Sequence, residues 1–232
     1  MKKVIISIFM ILFSAIIVAQ DQSRIPLIGE EAPKFKANST NGVIRFPKDF
    51  GSSWKVIFSH PMDFTPVCSS ELLELAHMQN EFRELNVNII VLSTDTLYNH
   101  VSWKLAMEQI NYKDREPVKI QFPFVDDESR KVSLMYGMIH TPTSTTRNVR
   151  GVFIIDPDNI IRSIQFYPVE LGRNMQEIKR AIIALQTADQ CQVYTPANWN
   201  PGDDVILPWR DMEVLADPNV YQLTWFMTFK KL

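Results

Sequence analysis

Phe58-Ser59-His60-Pro61-Met62-Asp63-Phe64-Thr65-Pro66-Val67-Cys68-Ser69-Ser70-Glu71-Leu72 places one cysteine between a strand and a helix. The run Trp54 to Ser59 is apolar and β-prone. From Ser69 onward, Leu72, Leu73, Leu75, Ala76, Met78, Phe82 and Leu85 mark the inner side of a helix predicted to reach about Asn86. Pro66 suits the first helical turn, where its missing N–H is no loss, and Cys68 falls within that turn. Unpaired backbone N–H groups and the positive end of the helix dipole favour a thiolate over a thiol there. A buried, inert core cysteine is the competing reading.

Working outward, strand-like and helix-like runs alternate without internal repeats, which predicts an α/β layer architecture. Val87 to Thr94 reads as a buried strand. A helix from about Asn99 to Ile110 is expected to turn Val101, Leu105 and Ile110 inward. Phe122 to Asp127 leads into a short helix around Arg130 to Tyr136, stopped by Gly137. Gly151 to Asp156 and Ile160 to Phe166 form two strands about the turn Asp156-Pro157-Asp158-Asn159. Asn174 caps a last core helix running to about Ala188, with Met175, Ile178, Ile182 and Leu185 as its apolar stripe. Beyond it, Pro196, Pro201, Gly202 and Pro208 interrupt regular structure before an aromatic tail of Tyr221, Trp225, Phe226 and Phe229.

Met1-Lys2-Lys3 followed by an apolar run from Val4 to Ala19 has the pattern of a signal peptide, with cleavage expected after Ala19. An uncleaved anchor is the alternative, because the run approaches the minimum of about 17 residues for a span. The chain is therefore expected to be exported, periplasmic or secreted, and free of the membrane once cleaved. The domains are set at 1–19 for the leader, 26–186 for the core and 187–232 for a smaller C-terminal domain. The 232 residues carry a net charge of −2 with no basic block, which argues against a nucleic-acid partner. Two cysteines far apart do not make a disulfide framework.

The pattern Pro61, Thr65 and Cys68 after a strand resembles the active-site signature of the peroxiredoxins, thiol peroxidases on a thioredoxin-like fold. Ser59-His60, Ser69-Ser70-Glu71-Leu72 and Thr195-Pro196-Ala197-Asn198-Trp199 resemble the one-cysteine, peroxiredoxin 6 type branch. The resemblance implies a central mixed sheet flanked by helices. It also implies reduction of hydrogen peroxide and organic hydroperoxides through a sulfenic acid on Cys68. Thr65 would hydrogen-bond peroxide and sulfur, with helix capping as its plainer role. The family's arginine precedes a strand that here is Gly151-Val152-Phe153-Ile154-Ile155, which selects Arg150 and leaves Arg147 as a solvated loop charge. Pro61 would shield the thiolate, or simply end a strand. His60 would assist proton transfer or meet the reductant.

Cys191 is read as non-resolving, since disulfide geometry needs Cα atoms within about 7 Å and nothing in the sequence promises that. An external thiol would then be the reductant. The resemblance further implies a homodimer or higher homo-oligomer, in which the tail reaches over the partner subunit; folding of its aromatics onto their own core is the alternative. No cofactor is implied. The histidines, His60, His77, His100 and His140, show no metal-ligand spacing, and Cys68-Ser69-Ser70-Glu71 lacks the second thiol of a disulfide oxidoreductase. Ser53 and Asp158 match two residues of the phospholipase site credited to some members. Pro47 stands where the histidine would be and Lys55 replaces the last glycine of the elbow, so no lipase activity is expected. The non-enzyme rival is an exported thioredoxin-like binding or chaperone module with an idle thiol.

Overall fold

The computed structural model describes residues 25–208 and 217–232; the leader lies outside the described residues. A seven-stranded sheet is built from β1 (Phe35–Ser39), β2 (Gly42–Phe46), β3 (Trp54–Ser59), β4 (Val87–Ser93), β5 (Phe124–Asp126), β6 (Arg150–Ile155) and β7 (Ile161–Tyr167). Its order is β2-β1-β5-β4-β3-β6-β7, with β3, β4 and β5 parallel and β6 and β7 antiparallel to their neighbours. The helices are α1 (Pro66–Glu84), α2 (Leu97–Met107), α3 (Lys131–Met135) and α4 (Met175–Cys191).

Alternate residues of the central strands serve opposite faces, as the pleat dictates. Val56, Phe58, Ile89, Val91, Val152 and Ile154 pack with Leu72, Leu75, Phe82, Trp103, Ile178 and Ile182 from α1, α2 and α4. Ile57, Ile90, Leu92, Phe153 and Ile155 pack on the other face with Val132 and Tyr136. This is the expected layered architecture, a mixed sheet sandwiched between helices. Lys55 is buried in β3 and spends its ammonium on Asn159 Oδ1 at 2.8 Å and the Asp156 carbonyl at 3.2 Å, tying β3 to the β6–β7 turn. Burial lowers its pKa below the ordinary lysine value.

The inward face of α2 differs from the sequence expectation. Val101, Leu105 and Ile110 are 41%, 56% and 40% exposed, and the helix ends at Met107. His100, Trp103 and Met107 are buried instead. The buried stripe is set by a histidine that finds hydrogen bonds inside, which a count of apolar residues does not register.

Asn174 caps α4, its side chain accepting from the backbone N–H groups of Gln176 and Glu177 at 3.0 and 3.2 Å. Asn174→Ala is expected to lower stability by about 1 kcal/mol, read by denaturant unfolding, without changing the sheet. The same helix continues through Thr187 to Cys191. Its last turns join Val193, Trp199 and Val205 in a third apolar cluster with Ala184. Beyond that lies a small sheet, in the order β8 (Val205–Ile206), β10 (Met227–Lys230), β9 (Val220–Thr224). Within it Tyr221 and Phe229 stack at 5.4 Å, while Trp225 and Phe226 at the hairpin tip are 70% and 61% exposed. The tip is thus not folded onto its own core.

Candidate active site

β3 ends at Ser59, and the loop from His60 to Thr65 delivers the chain to α1. Phe64 in that loop has φ +57°, a left-handed conformation that costs a bulky residue about 1–2 kcal/mol. The loop is pinned on both sides of it. The Asp63 N–H donates to Asp95 Oδ2 at 2.8 Å, and the Thr65 hydroxyl donates to the Met62 carbonyl at 2.9 Å. Pro66 is the first helical residue, as its lack of an N–H predicts, so Cys68 sits in the first turn.

Cys68 is fully buried, and its Sγ accepts from Arg150 Nη1 at 3.1 Å. The same Nη1 lies 2.8 Å from Glu71 Oε2, while Nε and Nη2 of Arg150 both donate to the Val169 carbonyl. Glu71 is one helical turn after Cys68 and also receives Arg173: its backbone N–H and Nε on Oε1, and Nη2 on Oε2. Arg173 Nη1 bridges the carbonyls of Ser59 and Gly151 at 2.9 and 2.8 Å, fixing the cluster to β3 and β6. Burial works against the Glu71 carboxylate, but the two guanidiniums, Arg173 foremost, outweigh it and hold its pKa below the ordinary value. Two buried cations share one carboxylate, so a positive excess remains until the neighbouring sulfur ionises.

Thr65 takes the N-cap position of α1 without a side-chain cap bond, so the capping role is not the one seen. Because its hydroxyl proton points to Met62 O, its lone pairs remain to accept a hydrogen bond from a substrate hydroxyl. Pro61 is buried directly after β3. His60 is also buried. It packs on Trp103 at 5.1 Å, and the Trp103 indole N–H donates to the hydroxyl of Ser69, the residue after Cys68.

Arg147 lies in a loop with 41% of its side chain exposed, and its Nη1 also pairs with Asp95 Oδ1 at 2.8 Å. The fold also gathers His60, Asp63 and His100, three potential metal ligands whose sequence spacing shows no such pattern. Asp63 Oδ1 lies 2.8 Å from His60 Nε2 and Oδ2 lies 2.7 Å from His100 Nδ1. These are hydrogen bonds; an ion with bonds of about 2.0–2.1 Å would hold tetrahedral ligand atoms roughly 3.3 Å apart.

The structure therefore brings Cys68 and Arg150 into contact, with Thr65, Pro61 and His60 in the adjoining loop. Cys191 stands apart. It is an exposed free thiol at the end of α4, whereas Arg173 at the start of that helix belongs to the cluster. Seventeen helical residues separate those ends by about 24 Å at 1.5 Å per residue. Sequence reading missed the roles of Glu71, Arg173, Asp63 and His100. Glu71 alone carried a signal, being an acid three residues past Cys68 on an otherwise apolar helix face.

A buried sulfur in the first turn of a helix, 3.1 Å from a guanidinium, fits the reactive thiol of a peroxidase. Residues 28–164 match the AhpC/TSA family, and residues 184–210 match the C-terminal domain of 1-Cys peroxiredoxin. A peroxiredoxin of Methanosarcina mazei is 47% identical over 214 residues, covering 89% of this chain and 98% of its own. One from Thermotoga petrophila is 46% identical, covering 91% and 100%. Among solved structures, a yeast mitochondrial 1-Cys peroxiredoxin superimposes with a TM-score of 0.80 at 36% identity, covering 90% of this chain and all of that one. A mutant of the peroxiredoxin 6 of Arenicola marina superimposes with a TM-score of 0.82 at 33% identity, covering 89% and 98%. The chain belongs to the AhpC/TSA family and is a peroxiredoxin, a thiol peroxidase. Its C-terminal segment is of the 1-Cys kind.

Proposed function

We propose that this peroxiredoxin reduces hydrogen peroxide and organic hydroperoxides outside the cytoplasm, through a sulfenic acid on Cys68 that an external thiol reduces. The observation that carries this is the 3.1 Å contact of Arg150 Nη1 with Cys68 Sγ, at a guanidinium also placed to meet negative charge on a departing oxygen. The thiolate attacks one peroxide oxygen. An S–O bond forms as the O–O bond breaks, both electrons of that bond leave with the second oxygen, and a proton makes it water or an alcohol. The idle-thiol module is not favoured, because Cys68, although it borders the apolar core, has its sulfur in contact with the Arg150 guanidinium.

The span of α4 supports an external reductant, since it keeps Cys191 beyond disulfide reach of Cys68 within one chain. The yeast relative is described in terms of thiol resolving via glutathione/thioredoxin systems, which fits that kind of reductant. With one equivalent of peroxide, mass spectrometry is expected to find one added oxygen on Cys68. Cys191→Ser is expected to keep full turnover with a small thiol. A Cys68–Cys191 disulfide, or turnover lost in Cys191→Ser, would count against this reading.

Export is supported by the Lys2-Lys3 start and the apolar run to Ala19. Self-association is supported by Leu223, Trp225 and Phe226, which are 66%, 70% and 61% exposed at the C-terminal hairpin. Trp225→Asp is expected to convert a dimer into monomers by light scattering; an unchanged mass would refute the assignment. A lipase site finds no support. The Ser53 hydroxyl donates to the Phe50 carbonyl and receives Asn88 Nδ2, so among the described residues its hydrogen-bond partners include no general base.

A further inference from the structure

His60, Asp63 and His100 are each fully or almost fully buried, and the protons between them can be counted from their partners. His100 Nε2 lies 3.1 Å from the Val125 carbonyl, which can only accept, so this nitrogen carries a hydrogen. His100 Nδ1 faces Asp63 Oδ2 at 2.7 Å, another acceptor, so a second hydrogen lies between them. His60 Nε2 faces Asp63 Oδ1 at 2.8 Å and must donate as well. The remaining ring nitrogen, His60 Nδ1, is buried and has no hydrogen-bond partner among the described residues.

We propose that Asp63 and His100 are positioning residues of the peroxidase site, a buried carboxylate–imidazolium pair that keeps His60 neutral with its proton on Nε2 and its lone pair on Nδ1. This rests on the peroxidase reading of Cys68. A neutral His60 can take the proton released as Cys68 ionises and return it to the leaving alkoxide. The sum is then thiol plus hydroperoxide giving sulfenic acid plus alcohol, with no net proton change. The hydrogen bond and charge of Asp63 pull a proton toward His60, but burial outweighs them and the charge of His100 works in the same direction as burial. The groups bearing on His60 are Asp63 from its own loop, His100 from α2, and Arg173, whose charge also disfavours a cationic ring. Burial is the main cause that lowers the His60 pKa. For Asp63, burial favours the neutral acid, but the hydrogen bonds of His100 and His60 prevail and lower its pKa, which keeps it ionised.

The test is nuclear magnetic resonance of ¹⁵N-histidine-labelled full-length protein across pH, beside the pH dependence of Cys68 oxidation. In the unsubstituted protein at pH 7, His100 is expected to carry both ring protons and His60 only that on Nε2. In His100→Gln the carboxylate loses its cation. The His60 titration midpoint should then rise by at least about one unit, and the acid limb of the rate profile should move up with it. Asp63→Asn should leave His60 neutral and in the same tautomer, since the carboxamide can accept from His60 and donate to a neutral His100. Combining the two substitutions should cancel the rise seen in His100→Gln. A neutral His100 at pH 7, a proton on His60 Nδ1, or an unmoved His60 midpoint in His100→Gln would overturn the proposal. A uniform loss of rate without a shifted profile would mark a merely structural role and also overturn it. Should a variant not fold, the spectra of the unsubstituted protein still decide. Absence of Cys68 oxidation would instead strike the peroxidase reading and leave the histidine states measurable.

Discussion

Arg150→Met lowers the second-order rate constant for oxidation of Cys68 by hydrogen peroxide about 10²- to 10³-fold, the usual cost of removing one preorganised donor from developing negative charge. The variant should still fold. Glu71 retains Arg173 on both carboxylate oxygens, so removing one cation leaves a balanced buried pair. The Val169 carbonyl does lose both its donors, a modest penalty at a partly buried position. Arg150→Lys should recover little. One ammonium cannot reach Val169, Glu71 and Cys68 together, as the planar fork of a guanidinium does. Stopped-flow tryptophan fluorescence would give the rates, and a value within threefold of the unsubstituted protein would remove Arg150 from the mechanism.

Glu71→Gln has its main effect on stability. Here two buried guanidiniums lose their shared carboxylate, and breaking a buried ion pair from one side costs about 3–5 kcal/mol. For a chain of 232 residues that corresponds to a melting temperature lower by roughly 10 °C. The sign with pH follows from linkage. The folded-state pKa of Glu71 lies below its ordinary value of 4.5. Its stabilisation is therefore present above the unfolded value and is lost as pH falls through the folded one. Melting curves between about pH 3 and pH 7 should show a shallower acid slope in Glu71→Gln. Equal slopes in both proteins would mean that Glu71 is not the ionised centre of the cluster.

Much of this site was readable from the chain because its decisive parts are local. An apolar run, a proline that can only begin a helix, and a cysteine two residues later fix strand, loop and first turn without distant information. Arg150 was found through the family resemblance, which places an arginine just before the apolar strand that runs on from Gly151. Glu71 and Arg173 were harder, since their role exists only once α1 and the segment before α4 meet, 102 residues apart in sequence. The face of α2 was misread because Val101 and Leu105 offer an apolar stripe, while the buried stripe carries His100. Hydropathy scores a histidine as polar; its hydrogen bonds to Asp63 and Val125 make it an interior residue.

The uninterrupted course of α4 couples two regions that a domain boundary would separate. Its start adjoins Arg173, which clasps Glu71, and its final turns are packed against Trp199 and Val205. A helix is stiff along its axis, so a displacement imposed at the C-terminal cluster would be carried toward Arg173 and its clasp on Glu71. Whatever grips or loosens that distant end, a second subunit included, is in a position to retune the sulfur without approaching it.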